Sequence, residues 1–367
     1  MQDVVVIGGG VIGLTIAREL AGRKSVLLLD RSATGQGTSR AAAGMLTPLS
    51  EADDQGPFFQ LSCKSHALYD GFVRDLEDET KLDCGYAKDG LLALASTEED
   101  AAALRCRCEW QKKAGFEVDL IDSAAVYKLE PLVTAPIAAA LFLPGDRSVT
   151  PRLLVRALRE SCLRRGVEIR QGVKVDEIRP HAVRAGGSTF EASAVVIASG
   201  VWSSELKGLN PPIPVFPRKG QILSLGMPAE AFRRMIRWGN TYFVPRPTGE
   251  LVVGATNEDA GFDTSNTAAG LGRLLNEAQQ ISSHTGQYAI LETWSGLRPA
   301  TPDSLPILGP SSIPGVFYAT GHYRNGVLLA PITAAVIKDL IDNGKTAVPI
   351  EPFSPCRFEY ADGAHHR

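Results

Sequence analysis

The decisive stretch of the sequence runs Val4-Val5-Val6-Ile7-Gly8-Gly9-Gly10-Val11-Ile12-Gly13, an apolar run followed by a cluster of glycines. Its glycines have the spacing G-x-G-x-x-G, which opens a dinucleotide-binding βαβ unit when it stands between a strand and a helix. That context is present, because a helix is predicted over 14–21, closed by Gly22, and a second strand over 26–29. The stretch therefore predicts a Rossmann-like α/β domain around a bound dinucleotide.

Each glycine of the motif has a separate role. Gly8 permits the tight turn, Gly10 lets the backbone approach a pyrophosphate, and Gly13 lets the helix pack against the strand. The helix N-terminus offers unsatisfied N–H groups and a partial positive charge to the phosphates. Asp30 ends the second strand and is expected to accept hydrogen bonds from the adenosine ribose hydroxyls. The motif alone does not distinguish FAD from NAD.

Three further segments favour FAD. They are Thr38-Ser39-Arg40-Ala41-Ala42-Ala43-Gly44-Met45, Val195-Val196-Ile197-Ala198-Ser199-Gly200 and Gly321-His322-Tyr323-Arg324-Asn325-Gly326. The first two are rich in small residues, so their backbones can lie close to an aromatic ring system or to the dinucleotide. The third precedes the last predicted helix, whose N-terminal dipole is expected to stabilise the negative charge of a reduced flavin ring.

The order of elements predicts two domains built from interleaved pieces of chain. Further strand and helix units are predicted around a helix over 151–165, strands over 167–169, 173–175 and 194–198, a strand over 316–320 and a helix over 326–341. The predicted FAD-binding domain therefore comprises residues 1–84, 146–212 and 299–367.

The two intervening pieces, 85–145 and 213–298, show alternating strands and turns. They include a hairpin of Tyr242-Phe243-Val244 and Leu251-Val252-Val253 around Pro247-Thr248-Gly249. These pieces predict a substrate-binding domain of α+β class, built on an antiparallel sheet.

Composition and charge exclude several classes of protein. The 367 residues carry 38 basic and 41 acidic side chains, a formal net charge of −3, without a basic block, so no nucleic-acid partner is expected. The longest apolar run, 327–337, contains Pro331 and is shorter than the roughly 20 residues that span a membrane. The first strand leaves no room for a signal peptide, so a cytoplasmic protein without a membrane partner is expected.

The cysteines and histidines predict no metal site. The six cysteines are irregularly spaced, and no second pair lies near Cys106-Arg107-Cys108 to complete a zinc site, so reduced, unpaired thiols are expected. Only His322 falls within a motif, and His365-His366 is interpreted as a tail.

Four short motifs follow the glycine motif in chain order. They are Ala43-Gly44-Met45, Gly200-Val201-Trp202-Ser203, Gly296-Leu297-Arg298-Pro299 and Gly321-His322-Tyr323-Arg324-Asn325-Gly326. Together they resemble the D-amino-acid oxidase superfamily, and within it the bacterial glycine oxidases of the thiazole-biosynthesis type, over nearly the whole chain. The resemblance implies a D-amino-acid oxidase/glutathione-reductase-like architecture. FAD is expected to be non-covalent, because no cysteine follows Arg298 until Cys356.

The resemblance also implies roles for individual residues. Arg298, whose planar guanidinium suits a carboxylate, binds the substrate, Tyr242 adds a hydroxyl hydrogen bond, and Arg324 lies at the mouth of the site. The implied FAD-binding residues are Gly8, Gly10, Val11, Ile12, Gly13, Asp30, Arg31, Thr38, Ser39, Ala43, Gly44, Met45, Val173, Gly200, Gly321, His322, Tyr323, Arg324, Asn325, Gly326, Val327 and Leu328. A homo-oligomer, a tetramer by resemblance, is expected.

The implied reaction oxidises a carbon–nitrogen bond. Glycine, oxygen and water give glyoxylate, ammonia and hydrogen peroxide, by hydride transfer from the substrate Cα to flavin N5, and the imine is hydrolysed or supplied to thiazole synthesis for thiamine. In this scheme the protein contributes positioning and electrostatics, and the cofactor accepts the electrons.

Two residues depart from the family pattern and leave the substrate open. Asn257 stands where reference members carry methionine, and Asn240 where they carry histidine, so the pocket is expected to be more polar or to accept a larger substrate. The alternatives are an oxidase of sarcosine, a D-amino acid or another N-substituted amino acid, a dehydrogenase that uses an acceptor other than oxygen, and a flavin-binding protein without enzymatic activity.

Overall fold

Two eight-stranded sheets organise the computed structural model, which describes residues 1–51, 54–209 and 212–358. The strands are β1 (Gln2–Ile7), β2 (Val26–Asp30), β3 (Met45–Leu46), β4 (Leu91–Ala95), β5 (Asp119–Ile121), β6 (Ala139–Leu143), β7 (Arg147–Ser148), β8 (Glu168–Gln171), β9 (Val175–Arg179), β10 (Ala182–Ala185), β11 (Ser188–Ile197), β12 (Phe216–Gly226), β13 (Met235–Trp238), β14 (Thr241–Pro245), β15 (Glu250–Gly254), β16 (Ala289–Ala300), β17 (Ile307–Pro310) and β18 (Val316–Thr320). The α-helices are α1 (Val11–Leu20), α2 (Thr38–Ala41), α3 (Pro48–Glu51), α4 (Pro57–Thr80), α5 (Glu98–Lys113), α6 (Ser123–Leu129), α7 (Pro151–Arg164), α8 (Ala268–Ile281) and α9 (Gly326–Asn343). Short 3-10 turns lie at Gly200–Glu205, Ser283–Gln287, Glu351–Phe353 and Pro355–Phe358.

The first sheet has the strand order β17-β18-β11-β1-β2-β8, with β10 and β9 attached beyond β11. Its central pairs, β11–β1, β1–β2, β2–β8 and β11–β18, are parallel. Val4 and Val6 pack into the core beneath α1, α7 and α9, whereas Val5 and Ile7 pack against β9 and β10 on the opposite face. Burial on both faces explains why β1 is an uninterrupted apolar run.

The second sheet has the order β16-β12-β15-β14-β13-β4-β6-β5 and is antiparallel except between β13 and β4. One face packs against Leu274, Ala278 and Ile281 of α8. The other face, which includes Ile222 and Tyr242, packs against residues near α3 and α5. This second face forms a wall of the candidate site.

The strands of the two sheets follow the predicted pieces of chain. Those of the first sheet lie within 1–84, 146–212 and 299–367, and those of the second within 85–145 and 213–300. One predicted boundary, between Arg298 and Pro299, falls inside β16, which continues to Ala300. The division into two domains stays a prediction.

The predicted hairpin, the strand over 316–320 and the helices that became α7 and α9 are confirmed. Other boundaries were wrong by a few residues. Helix α1 begins at Val11 and ends at Leu20, because the end of the glycine motif is already helical and Gly22 lies beyond the C-cap. The predicted strands over 167–169 and 173–175 are β8 and β9, shifted toward the C-terminus, and β11 is longer than predicted.

The interpretation of 85–145 and 213–298 as strands and turns was wrong for three helices, α5, α6 and α8. Helix α5 buries few side chains, so the apolar periodicity of its sequence is weak. The sequence at its two ends does indicate a helix. Thr97 caps the first turn by accepting a hydrogen bond from the Asp100 N–H, acidic residues follow it, and lysines close the last turn.

All six cysteines are free. Within the described ranges, no helix is long and apolar enough to cross a membrane, and no three His, Cys, Asp or Glu side chains are grouped so that they could hold a metal ion. His365 and His366 lie outside these ranges.

Candidate functional site

A cleft opens at the carboxyl ends of β1 and β2 and encloses about 1100 Å³, open solvent at its mouth included. The predicted cofactor residues that line it are Gly8, Gly10, Val11, Ile12, Asp30, Arg31, Thr38, Ser39, Val173, Gly200, His322, Tyr323, Arg324, Gly326 and Val327. Ala43, Gly44, Met45 and Asn325 line the neighbouring cavity instead, and Gly13, Gly321 and Leu328 line neither. Sequence reasoning missed Gly37, Lys174 and Glu205, which also line the cleft. Gly9, Ser199 and Trp202 line it too, and they lie within quoted motifs although they were not predicted individually as FAD contacts.

The glycine motif has the close packing that its sequence implied. Gly8 has φ +105°, and a Cβ there would lie 2.5 Å from the Ala198 carbonyl oxygen. A Cβ on Gly13 would lie 1.9 Å from the Gly8 carbonyl oxygen, so this residue sets the distance between α1 and β1. The Val11 N–H donates to the Ser39 hydroxyl at 2.9 Å, which ties the helix N-terminus to α2. A backbone cradle at a helix N-terminus fits the pyrophosphate of a dinucleotide.

Asp30 is held at the rim of this cradle. One carboxylate oxygen accepts from the Gly9 N–H at 2.8 Å, and the other accepts from the Ser32 N–H at 2.8 Å. These contacts fix the carboxylate while each oxygen keeps lone pairs for further donors. Its predicted contact with a ribose stays a prediction.

The N-terminus of α9 points its positive end toward the boundary between the two cavities. Its first turn contains no acidic residue, and His322 just before it is buried. The His322 Nε2 lies 3.0 Å from the Thr333 hydroxyl, and burial lowers the pKa of His322 to about 3. The imidazole is therefore neutral at physiological pH, so the positive potential here comes from the helix and from Arg324.

The buried His322 predicts a pH-dependent stability. Its folded pKa of about 3 lies below the ordinary value of 6.5, so the unfolded chain binds the proton more tightly. We expect the free energy of unfolding to fall by up to about 1.4 kcal/mol per pH unit as pH falls from about 6.5 toward 3. We expect the free energy of unfolding, measured by denaturant titration between pH 4 and 7, to depend less steeply on pH in His322→Gln than in the unmodified protein. If this pH dependence is the same in both proteins, another buried group causes it, for example His66, whose pKa is lowered by burial to about 4.

A second cavity, here called the substrate cavity, adjoins the cleft and encloses about 1440 Å³ with its open mouth. The two share the lining residues Thr38, Ala42, Tyr323, Arg324 and Val327. All three predicted catalytic residues, Arg298, Tyr242 and Arg324, line the substrate cavity, as do Asn240 and Asn257. The fold thus brings together side chains from β14, β16 and the α9 N-terminus.

Arg298 presents a guanidinium without an acidic partner among the described residues. Its Nη1 donates to the carbonyl oxygens of Thr256 at 3.0 Å and Lys219 at 3.3 Å. The group lies directly over Gly220, where a Cβ would come within 2.2 Å of Nη2. The backbone therefore holds this cation in place and leaves its remaining N–H groups for a ligand carboxylate.

Tyr242 stands beside this cation on β14. A Cβ on Gly254 would lie 2.5 Å from the Tyr242 hydroxyl oxygen, so the glycine makes room for the ring. Burial raises the pKa of Tyr242, while the positive charge of Arg298 lowers it in part. The hydroxyl is thus protonated, and it makes no hydrogen bond to any described residue, so it is available as a donor.

Glu51 is a site residue that sequence reasoning missed. Its carboxylate accepts from Arg237 Nη1 at 2.9 Å and from Arg324 Nη2 at 2.7 Å, with 14% of its side chain exposed. Arg324 is therefore ion-paired at the substrate cavity. No local sequence signal joins Glu51 of α3 to Arg237 of β13, because only the tertiary fold brings them together.

The packing of Gly220 predicts a way to displace Arg298 without removing its charge. A methyl group in Gly220→Ala must push the guanidinium away from the carbonyls of Lys219 and Thr256. We expect the Michaelis constant for a substrate with a carboxylate to rise by at least about tenfold, since a 1 Å misplacement can cost on the order of a hundredfold. Steady-state kinetics would measure this, and an unchanged constant would show that the guanidinium position is unimportant.

Known proteins share this architecture. A family model described as FAD dependent oxidoreductase matches residues 3–340. The chain is 36% identical over 366 residues to a glycine oxidase of Geobacillus kaustophilus, covering 97% of each protein. A crystal structure of glycine oxidase from the same organism superposes with a TM-score of 0.94 at 35% identity, over 97% of this chain and 98% of that one.

A second kind of relative is longer than this chain. The chain is 37% identical over 354 residues to the bifunctional protein ThiO/ThiG of Nostoc sp.. That match covers 94% of this chain and 53% of the relative, so the chain spans about half the length of such bifunctional proteins.

Proposed function

This chain belongs to the family of FAD dependent oxidoreductases, and on that premise we propose that it oxidises glycine with oxygen and water to glyoxylate, ammonia and hydrogen peroxide. The observation that carries the proposal is Arg298, a guanidinium held by backbone carbonyls, without an acidic partner in the described chain, in a cavity that adjoins a dinucleotide cleft. Similarity to glycine oxidases over 97% of the chain supports the choice of substrate.

The cofactor and the substrate have separate sets of residues. Bound FAD supplies the two-electron acceptor for oxidation of the carbon–nitrogen bond. The residues that would hold it are the glycine motif, Asp30, Ser39 and the N-terminus of α9. These groups offer backbone N–H donors, a fixed carboxylate and a helix dipole, which match phosphates, a ribose and a ring that gains negative charge.

Arg298 and Tyr242 orient the substrate. The guanidinium of Arg298 binds the substrate carboxylate, and the neutral hydroxyl of Tyr242 donates a hydrogen bond to it. Two contacts on one carboxylate leave the amine and the Cα facing the adjoining cleft. Because the cofactor accepts the electrons, the main contribution of these two residues to the rate is to hold the substrate in the reactive orientation.

We further propose that the imine formed from glycine is used in thiazole synthesis. Support comes from the relatives named ThiO/ThiG, in which the part similar to this chain is joined to a further part of comparable length. On the same family basis we propose a homotetramer, to be measured by light scattering, and the division into FAD-binding and substrate-binding domains given above.

A second candidate substrate is another small amine, such as sarcosine or a D-amino acid. Asn240 and Asn257 both line the substrate cavity, and the Asn257 side-chain oxygen lies 3.5 Å from the Tyr323 hydroxyl. These amides make the wall polar, which favours a D-amino acid with a polar side chain over sarcosine, whose added methyl group forms no hydrogen bond.

Anaerobic mixing of the flavin-loaded protein with glycine, sarcosine and several D-amino acids tests the proposal. We expect glycine to bleach the visible absorbance of the flavin and oxygen to restore it with formation of peroxide. Bleaching by another amine alone would show that this amine, and not glycine, is the substrate. Recovery of the flavin absorbance only with an artificial acceptor would show that the protein is a dehydrogenase. Absence of bleaching by every amine would overturn the enzymatic proposal.

A further inference from the structure

Behind the substrate arginine lies a group of polar side chains that the proposed reaction does not use. This group, here called the backing cluster, consists of Lys219, Gln221, Thr256, Glu258 and Asp263. Lys219, Gln221 and Thr256 are almost completely buried. Lys219 lines neither the dinucleotide cleft nor the substrate cavity. Burial of an ammonium group is costly even when it is paired, so an apolar side chain would fill this place more favourably unless the charge has a role.

The cluster stands where β12 pairs with the segment 256–258, which follows the end of β15. The two chains run antiparallel. The Lys219 N–H donates to the Glu258 carbonyl at 3.0 Å, and the Glu258 N–H donates to the Lys219 carbonyl at 2.9 Å. The Thr256 N–H donates to the Gln221 carbonyl at 3.2 Å. The segment therefore extends the sheet beside β12 beyond the end of β15.

The guanidinium of Arg298 bridges these two chains. Its Nη1 donates to the carbonyl oxygen of Thr256 on one chain at 3.0 Å and to that of Lys219 on the other at 3.3 Å. Asn257, the next residue of the segment, lines the substrate cavity, as the alternation of side chains along an extended chain requires. The position of the guanidinium therefore depends on how the segment 256–258 is held against β12.

Side chains on the opposite face of the sheet hold the segment in this place. The Lys219 Nζ donates to Asp263 Oδ2 at 2.8 Å and lies 3.8 Å from Glu258 Oε2. The other oxygen of Glu258, Oε1, accepts from Gln221 Nε2 at 2.8 Å and from the Thr256 hydroxyl. The hydrogen bond from Lys219 is the main reason that the pKa of Asp263 is lowered to about 2, so this carboxylate is charged at neutral pH. One lysine thus ties both the segment and the loop that follows it to β12.

We propose that Lys219 is a positioning residue of this site, whose ion pairs hold the segment 256–258 against β12 and so keep the Arg298 guanidinium where it binds the substrate carboxylate. The inference rests on the proposed function and adds to it a residue that contacts neither the substrate nor the cofactor. Lys219 acts through the two carbonyl oxygens that hold Arg298. Its removal should therefore weaken the binding of carboxylates and leave the binding of FAD unchanged.

The first test is Lys219→Met, which keeps an unbranched side chain and removes the charge. The two acids left behind, Asp263 and Glu258, have 52% and 32% of their side chains exposed, so water can hydrate them. We expect the dissociation constant for acetate, measured by calorimetry on the flavin-loaded protein, to rise by roughly threefold to thirtyfold, which is typical of residues that act on a site through others. The Michaelis constant for glycine should rise by a similar factor, and the dissociation constant for FAD should not change.

A double-mutant cycle shows whether Lys219 acts through Arg298. The value of kcat/KM is measured at low concentrations of glycine, or of whichever amine bleaches the flavin, for Lys219→Met, Arg298→Ala and the double variant. We expect Lys219→Met to lower kcat/KM fully in the unmodified enzyme and by less than about twofold in the Arg298→Ala enzyme, where there is no guanidinium left to position. A general loosening of the fold would lower kcat/KM by the same factor in both.

Asp263→Asn is a second variant, and it leaves the buried core intact because Asp263 is largely exposed. It should weaken acetate binding in the same direction but by less, since Lys219 keeps its ion pair with Glu258. If Lys219→Met does not fold, this variant alone decides. Lys338→Met is the control, because it removes a lysine whose Nζ lies 2.9 Å from Asp342 on α9, outside both the cleft and the substrate cavity. It should change neither acetate binding nor the Michaelis constant.

The possible results distinguish this inference from the proposed function. If glycine is oxidised and neither Lys219→Met nor Asp263→Asn changes acetate binding, the inference is wrong and the proposed function stands. If glycine is not oxidised but both variants weaken acetate binding without weakening FAD binding, the inference stands and the proposed substrate is wrong. If Lys219→Met weakens FAD binding as much as acetate binding, or has the same effect with and without Arg298, Lys219 is only a structural residue and the inference is wrong. If the unmodified protein binds no acetate and oxidises no amine, both proposals are wrong.

Discussion

Replacement of Arg298 by alanine is expected to raise the Michaelis constant for the amino-acid substrate by one to three orders of magnitude. Removing one partner of a buried, hydrogen-bonded charge pair costs about 2–5 kcal/mol, much of it from the charge left unpaired. The Arg298 guanidinium contacts only backbone carbonyls in the described chain, so its loss leaves no acidic side chain unpaired. FAD should therefore remain bound, and the effect should appear in steady-state kinetics.

Arg218 offers a matched control for this variant. It lies opposite Arg298 on the neighbouring strand, but it lines neither the cleft nor the substrate cavity, and its guanidinium lies 3.7 Å from Asp259. Arg218→Ala removes the same charge from the same part of the sheet and should change the Michaelis constant little. If the two variants had equal effects, or if Arg298→Ala had none, Arg298 would not be a substrate-binding residue.

The dinucleotide half of the site was predictable from sequence because its determinants are local. Strand, glycine motif, helix and Asp30 lie within 30 residues, and the spacing of the glycines reflects contacts made inside that unit. Gly8 has the positive φ and Gly13 the close approach that their positions in the motif require. The exact start of α1 was missed, because the pattern does not show that the end of the motif is itself helical.

The substrate half depends on contacts between distant segments. Arg298 was identified through its motif and Tyr242 through the family resemblance, and they lie on strands separated by β12 and β15. Glu51 and Arg237 carry no motif, and their ion pair exists only because α3 packs beside β13. Glycines such as Gly220 and Gly254 also gave no signal, since their role is to leave space for a side chain on another strand.

Replacement of Gly13 by alanine is expected to abolish FAD binding. The added methyl would lie 1.9 Å from the Gly8 carbonyl oxygen, a distance that no relaxation of a side chain can relieve because the contacted atom is backbone. Helix α1 must move away from β1, which displaces the N–H groups at its N-terminus from the phosphates. We expect the purified variant to be colourless and its dissociation constant for FAD to rise by at least about a hundredfold, with a loss of stability of about 1–3 kcal/mol from overpacking.

Gly272→Ala is the matched control for this variant, because it makes the same substitution in the helix α8 where no atom lies within 4 Å of the new Cβ. An alanine at an exposed helical position stabilises the helix by about 1 kcal/mol relative to glycine. Flavin content should be unchanged and the unfolding temperature slightly higher. If Gly13→Ala retained its flavin while α1 remained folded, the helix N-terminus would not be what holds the pyrophosphate. If both variants lost flavin, the effect would come from altered folding in general, and the close approach of α1 to β1 would not be its cause.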